Sequence, residues 1–256
     1  MALRETLHVT RPWQTLIVIA VTACGLSHTD AACADNVQEL TGSIGGTSDL
    51  VFRGLSLTRG KSAAQASLDV EFAREYYAGA FVATADPNVG PSPPVEMDFW
   101  AGRYWRMTDD FSGDLRLSQY IYPDDPRRVS YDRTELTATL GFRNRVYFAA
   151  IYSPNTKAVG SSSGYAEGNV WAAELSGRQP LNERLSLSAG VGHYGLDEVY
   201  GDSYNYWNVT LIATFAPFEL QLAYLGVDGE AAEHFVASSV ENRVALTALW
   251  RFSSSH

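Results

Sequence analysis

The sequence predicts an all-β fold, a single antiparallel up-and-down barrel of about 12 strands that spans a membrane. Three observations predict it. About a dozen segments alternate apolar and polar residues with period two, long and short connections alternate between them, and aromatic residues cluster at segment ends. An up-and-down barrel places tight turns at one end and long loops at the other, and a Greek-key sandwich has no reason to produce that rhythm.

The N-terminal region predicts a signal peptide over residues 1–34 that is removed before folding. A basic start is followed by an apolar run at 16–26, which is too short to span a bilayer, and by Ala32-Cys33-Ala34 as a cleavage site. Cleavage there leaves residues 35–256 for the barrel. A lipoprotein signal with lipidation at Cys24 is the alternative.

The predicted strands follow one another without a helical pattern or a domain break between them. Their spans are 40–53, 63–72, 76–84, 95–106, 112–121, 132–142, 145–152, 169–178, 185–195, 204–214, 218–226 and 240–252. The connections range from the tight Arg143-Asn144 to the long loop 153–168. Strand side chains alternate in direction, so each segment has one apolar and one polar face.

Composition excludes several classes of function. The 256 residues carry a net charge of −10, which argues against nucleic acid as a partner because phosphates need a basic surface. Beyond the N-terminal region no apolar run reaches the length of a membrane-spanning helix. The sequence contains no metal-ligand cluster, phosphate loop or nucleotide motif, so we expect no cofactor and no metal.

Residues 47–72, which include the end of the first predicted strand and all of the second, form a hairpin with one apolar and one charged face. If the apolar faces contact lipid, we expect the following side chains of this hairpin to do so: Leu50, Phe52, Leu68, Val70 and Phe72. The opposite faces of all strands then point into the lumen, because an arginine at the bilayer midplane costs about 2–4 kcal/mol.

The predicted lumen-facing charges have two possible roles. They are Asp49, Arg53, Asp69, Glu71, Asp98, Arg116, Arg133, Glu135, Glu174, Glu219 and Arg243. They either line a polar channel that selects solutes or form a closed network of arginine–carboxylate pairs that braces the wall. The residue types fit both roles equally well.

Three stretches resemble a known family. TSDLVFRGLSLTRGKSAAQASLDVEF (47–72), EYYAGAFVA (75–83) and DFWAGRY (98–104) are similar to the TorF-like porins, Gcw_chp-type proteins of Gram-negative outer membranes. LSLSAGVGHYG (185–195) and GDSYNYWNVTL (201–211) match more loosely. The resemblance implies an outer-membrane β-barrel with porin activity.

The expected function is therefore a porin-like channel in the outer membrane, with both termini in the periplasm. We expect passive diffusion of small hydrophilic solutes through a charged lumen, and contact with outer-membrane lipid and lipopolysaccharide. The alternative is a non-conducting barrel whose extracellular loops bind a ligand or partner.

The histidines do not support an enzyme. A hydrolase site needs a serine–histidine pair with an orienting polar group. After signal cleavage only His193, His234 and His256 remain, and His193 falls on the apolar side of its strand with no serine nearby on the same face.

Overall fold

Twelve strands close into one antiparallel barrel in the computed structural model, which describes residues 37–72, 75–85, 95–123, 132–157, 167–228, 235 and 237–254. The strands are β1 (Val37–Thr47), β2 (Val51–Phe52), β3 (Leu55–Ser56), β4 (Ala63–Phe72), β5 (Tyr76–Thr84), β6 (Val95–Arg106), β7 (Phe111–Ile121), β8 (Arg133–Phe142), β9 (Val146–Lys157), β10 (Glu167–Pro180), β11 (Leu185–Gly195), β12 (Ser203–Phe215), β13 (Phe218–Val227) and β14 (Arg243–Ser253). The two short strands β2 and β3 lie outside the barrel sheet and pair with each other.

Every barrel strand pairs with its neighbours in the chain, and β1 pairs with β14 to close the sheet. Thr47 at the end of β1 lies opposite both Ala63 of β4 and Thr247 of β14. The predicted all-β, twelve-stranded up-and-down barrel is confirmed. The predicted signal peptide lies outside the described residues.

The period-two pattern sorts side chains between the two faces of the wall. On β13, Glu219, Gln221 and Ala223 are buried inside the barrel, whereas Leu220 and Leu222 are exposed outside. Residues directly opposite each other on paired strands point to the same side. The register therefore extends this inside–outside assignment from one strand to the next.

The first predicted strand, 40–53, is wrong beyond Thr47. Ser48 still bonds to the Leu246 backbone, but the chain then leaves the wall and turns into the lumen. There β2 and β3 form a hairpin around an Arg53-Gly54 turn, with φ of 45° and 80° at its two residues. Positive φ at both positions is typical of a type I′ turn. We call residues 48–62 the inner hairpin.

The expected lipid contact of Leu50 and Phe52 is also wrong. Their side chains are 1% and 7% exposed and lie in apolar clusters inside the barrel. Leu68, Val70 and Phe72 lie on the outer face, as their register with β5 requires. The alternating pattern could not separate these cases, because an inward-folded hairpin that packs against the wall shows the same period as the wall itself.

The inner hairpin divides the lumen into two parts. In the half nearer the long connections, the loop-end half, Phe52 and Leu55 pack with Tyr120, Tyr194 and Tyr204 in a buried cluster. A short helix α1 (Asp197–Tyr200) adds Val199 to this cluster. In the opposite, turn-end half, some inward-facing side chains are partly exposed, among them Asp69, Glu71, Arg116 and Arg178, whereas others, such as Asp114, Ile212 and Glu219, are buried.

Candidate functional site in the barrel lumen

The base of the inner hairpin is held by the buried carboxylate of Asp49. One carboxylate oxygen accepts hydrogen bonds from Ser56 Oγ and from Thr58 Oγ1, the latter at 2.7 Å. The other accepts a hydrogen bond from Arg243 Nη1 of β14 at 2.6 Å. Asp49 therefore joins the two arms of the hairpin to each other and to the wall.

The tip of the hairpin is held by Arg53, which is 4% exposed. Its Nη1 and Nη2 donate to the two oxygens of Glu135 at 2.8 and 3.0 Å. Its Nε donates to Glu174 Oε1 at 3.4 Å. Paired parallel bonds between a guanidinium and a carboxylate are among the strongest polar contacts in proteins. The turn thus spans the lumen from β1 to β8 and β10.

Glu135 is shared between two arginines. Arg133 Nε also donates to Glu135 Oε1 at 3.2 Å, and the Tyr120 hydroxyl donates to Oε2 at 3.2 Å. Arg133 lies 3.8 Å from the Tyr120 ring centroid and 4.4 Å from that of Phe52. These contacts fix the orientation of the carboxylate that receives Arg53.

Aromatic residues complete the site around Arg53. Its guanidinium lies 4.6 Å from the Tyr194 ring centroid, and Tyr206 donates its hydroxyl hydrogen to Glu174 Oε1. Tyr206 and Val227 also pack closely around Gly54. We define the Arg53 acceptor site as Glu135, Glu174, Tyr194 and Tyr206. All four residues lie on barrel strands, so the site belongs to the wall rather than to the hairpin.

All eleven charged residues predicted to face the lumen lie inside the barrel. Asp49, Arg53, Arg133, Glu135, Glu174 and Arg243 meet in the contacts that hold the hairpin. Asp98 is buried opposite Tyr120, and the remaining four, Asp69, Glu71, Arg116 and Glu219, lie in the turn-end half. Whether any of them lines an open pore stays a prediction.

Several site residues were missed in the sequence although their signal was present. Glu96 precedes Asp98 by two residues and Asp114 precedes Arg116 by two, so the same alternation places them on the inner face. Asp114 accepts a hydrogen bond from the Tyr77 hydroxyl at 2.7 Å. The roles of Tyr194 and Tyr206 had no such signal, because they depend on the position of Arg53.

Glu96 and Asp98 are the two fully buried acids among the described residues of the loop-end half. Both are 0% exposed, and the two side chains lie close together. Tyr122, which follows β7, lies nearby. Burial and the Glu96 charge raise the pKa of Tyr122, so its hydroxyl stays protonated.

The single described histidine of the barrel wall lies on the outer face. His193 Nδ1 contacts Asn205 Oδ1 at 2.8 Å, and its ring lies 5.0 Å from that of Trp171. His234 and His256 lie outside the described residues. Within the described ranges, no group of three or more metal-ligating side chains is suited to hold a metal ion, and no helix is long and apolar enough to cross a membrane.

A closed twelve-stranded barrel with an apolar outside and a charged inside defines a protein of the porin fold class. Residues 31–255 match the family described as "Bacterial protein of unknown function (Gcw_chp)", and the chain belongs to this family. The Gcw_chp part of the predicted resemblance is thereby confirmed, and the TorF-like subgroup stays a prediction. Among curated proteins, none matches the chain.

Solved structures with a similar fold include two porins. The NanC porin has a TM-score of 0.52 at 9% identity, covering 83% of this chain and 98% of its own. The KdgM porin has a TM-score of 0.50 at 10% identity, covering 84% and 99%. A structure from a study of in-meso crystallization of membrane proteins has a TM-score of 0.55 at 11% identity, covering 86% and 85%. At these identities the likeness shows a shared fold.

Proposed function

We propose that the protein is an outer-membrane, porin-like channel for passive diffusion of small hydrophilic solutes. The observation that carries the proposal is the sorting of side chains by the closed wall, apolar outside and charged inside. A barrel of this strand number is wider than the eight-stranded barrels that side chains fill. Water and solutes therefore have room inside wherever the inner hairpin does not occupy the lumen.

Two bands of aromatic residues support the membrane location. Exposed rings near the tight turns include Tyr76, Phe111, Phe142, Phe215, Phe218 and Trp250. Exposed rings nearer the long connections include Tyr152, Trp171 and Tyr224. Such girdles mark the two interfaces of a membrane barrel, with outer-membrane lipid and lipopolysaccharide around it.

Short periplasmic turns are usual for this class, so we place both termini in the periplasm, after export by the predicted signal peptide.

A charge on the outer wall should destabilise the barrel according to its depth. We expect Leu222→Arg, between the two aromatic bands, to lower the free energy of unfolding by about 2–4 kcal/mol, and Phe218→Arg, at the turn-end band, by about 0–1 kcal/mol. Urea titration of the protein refolded in phospholipid vesicles measures both. Equal losses for the two variants would contradict the membrane-spanning assignment.

The inner hairpin sets the conducting state of the proposed channel. Docked, it fills the loop-end half with buried side chains from Leu50 to Ser56. The turn-end half keeps some partly exposed charges, such as Asp69 and Arg178, beside buried ones such as Glu219. The docked state is therefore closed to solutes at the loop end, and undocking of the hairpin opens it.

Planar-bilayer recording tests the proposal. We expect the wild-type barrel to open rarely, and a variant in which residues 49–60 are replaced by Gly-Ser-Gly to show sustained stepwise openings. Heat-modifiable migration in gels identifies folded barrels of both proteins before recording. A folded hairpin-deleted barrel that stays silent in potassium chloride would overturn the channel.

A non-conducting barrel is the second candidate, and the closed loop-end half favours it. In that case the loops would bind a ligand or partner while the hairpin braces the wall permanently. The hairpin-deleted variant separates the two candidates, since a bracing hairpin predicts loss of folding without any gain of conductance.

We assign no catalytic residue, and release of acyl chains from phospholipid incubated with the folded barrel would contradict that assignment.

A further inference from the structure

We propose that the Arg53 acceptor site is a recognition site for solutes bearing a guanidinium group, and that Arg53 occupies it as an internal mimic while the hairpin is docked. The inference rests on the proposed channel and names its substrate class. It predicts that the open channel favours organic cations over anions, and guanidinium over ammonium.

The contacts of Arg53 are those expected for a guanidinium ligand. Glu135 receives two of its nitrogens in parallel and Glu174 receives the third, so three donors of the planar group have acceptors. The guanidinium carbon of Arg53 lies over the Tyr194 ring, 4.6 Å from the ring centroid. An ammonium ion has neither the fork nor the flat face, and for that reason it fits this site less well.

The site persists without the hairpin because rigid strands build it. Glu135 lies on β8, Glu174 on β10, Tyr194 on β11 and Tyr206 on β12. Arg133 and Tyr120 still hold Glu135, and Tyr206 still donates to Glu174 when Arg53 withdraws. Undocking therefore exposes a preorganised pair of carboxylates beside an aromatic ring.

The surrounding charges favour a cation in the vacated space. Among the described residues on the wall of the loop-end half, four acids, Glu96, Asp98, Glu135 and Glu174, accompany two arginines, Arg133 and Arg243. Glu96 is fully buried beside Asp98 and Tyr122, so it adds a further acid at the loop end. A cationic solute would balance charge that Arg53 balances in the docked state.

Calorimetric titration of folded, detergent-solubilised full-length barrel tests the site. In Arg53→Ala we expect methylguanidinium to bind at least tenfold more tightly than methylammonium, and the neutral N-methylurea not to bind. Wild type should bind none of them, because Arg53 fills the site. If Arg53→Ala does not fold, the Gly-Ser-Gly hairpin replacement takes its place.

Second-site variants assign the binding to the named carboxylates. Adding Glu135→Gln or Glu174→Gln to Arg53→Ala should abolish methylguanidinium binding, whereas adding Glu219→Gln should retain it. Glu219 is a matched inward carboxylate that pairs with Arg251 in the turn-end half. Equal affinity for methylguanidinium and methylammonium, no binding by the folded variants, or binding that survives both glutamine substitutions would overturn the inference.

Conductance measurements test the guanidinium site separately from the proposed channel function. In bilayers, methylguanidinium should reduce the potassium current through Arg53→Ala at concentrations at least tenfold below those at which methylammonium does. A barrel that conducts without this preference would contradict the guanidinium site but not the proposed channel function. A barrel that binds methylguanidinium but does not conduct would contradict the proposed channel function but not the guanidinium site.

Discussion

Arg53→Ala is expected to release the inner hairpin from the wall. Removing one partner of a buried ion pair costs about 3–5 kcal/mol, because the remaining charges stay buried without compensation. In the docked state Glu174 then loses its arginine partner and Glu135 keeps only Arg133, and water hydrates both once the hairpin leaves. The ratio of undocked to docked molecules should rise by more than about a hundredfold.

Cysteine labelling measures this release. Leu55→Cys, near the buried tip, should react slowly with a membrane-impermeant maleimide in a background where Cys24 and Cys33 are serine. The added Arg53→Ala should raise the rate by a similar factor of about a hundred. The matched control is Arg103→Ala, which removes an exposed arginine from its pair with Glu75 and should change the rate little. An unchanged rate in Arg53→Ala would show that Arg53 does not hold the hairpin.

Gly54→Ala is expected to prevent docking without changing any charge. A Cβ at this position would overlap Val227 Cγ1 and lie 2.9 Å from the Gly226 carbonyl oxygen and from Tyr206 Cβ. Overpacking of this kind costs about 1–3 kcal/mol. Positive φ adds roughly 1–2 kcal/mol of backbone strain.

Gly60→Ala is the matched control for that substitution. Gly60 has φ of 76°, close to the 80° of Gly54, but a Cβ there meets nothing within 4 Å. Backbone strain is therefore common to both variants, and only Gly54→Ala adds the steric clash. Hydrogen exchange of the backbone amides of residues 48–62 should accelerate more in Gly54→Ala than in Gly60→Ala. Equal acceleration would mean that close packing at the tip does not contribute to docking.

The wall of the barrel could be predicted from the sequence because its constraints are local. Each strand must alternate its side chains, and each connection must be short or long according to the barrel end on which it lies. Eleven of the twelve predicted strands, from 63–72 onward, agree with the structure. Most of their predicted ends lie within a few residues of the observed ends. The inward positions of Glu135 and Glu174 followed from the same alternation.

The inner hairpin could not be predicted because its partners are distant in the chain. Its alternating residues fit an outward-facing strand as well as an inserted turn, and the Arg53-Gly54 turn is the single local sign of a break. Two distant residues hold the hairpin in the lumen. Glu135 binds Arg53 from 82 residues further along the chain, and Arg243 binds Asp49 from 194 residues further along. The sequence alone left open whether these charges select solutes or brace the wall.

The sequence by itself determined the number of strands, their faces and the order of long and short connections. Periodicity and turn chemistry act over a few residues, and a closed up-and-down barrel follows from them. Only the tertiary structure decided that residues 48–62 enter the lumen, that Leu50 and Phe52 are buried inside, and that Arg53 meets two carboxylates and a tyrosine ring. The reason is that the hairpin gains its stability from packing and ion pairs across the barrel, which exist only after the wall has closed.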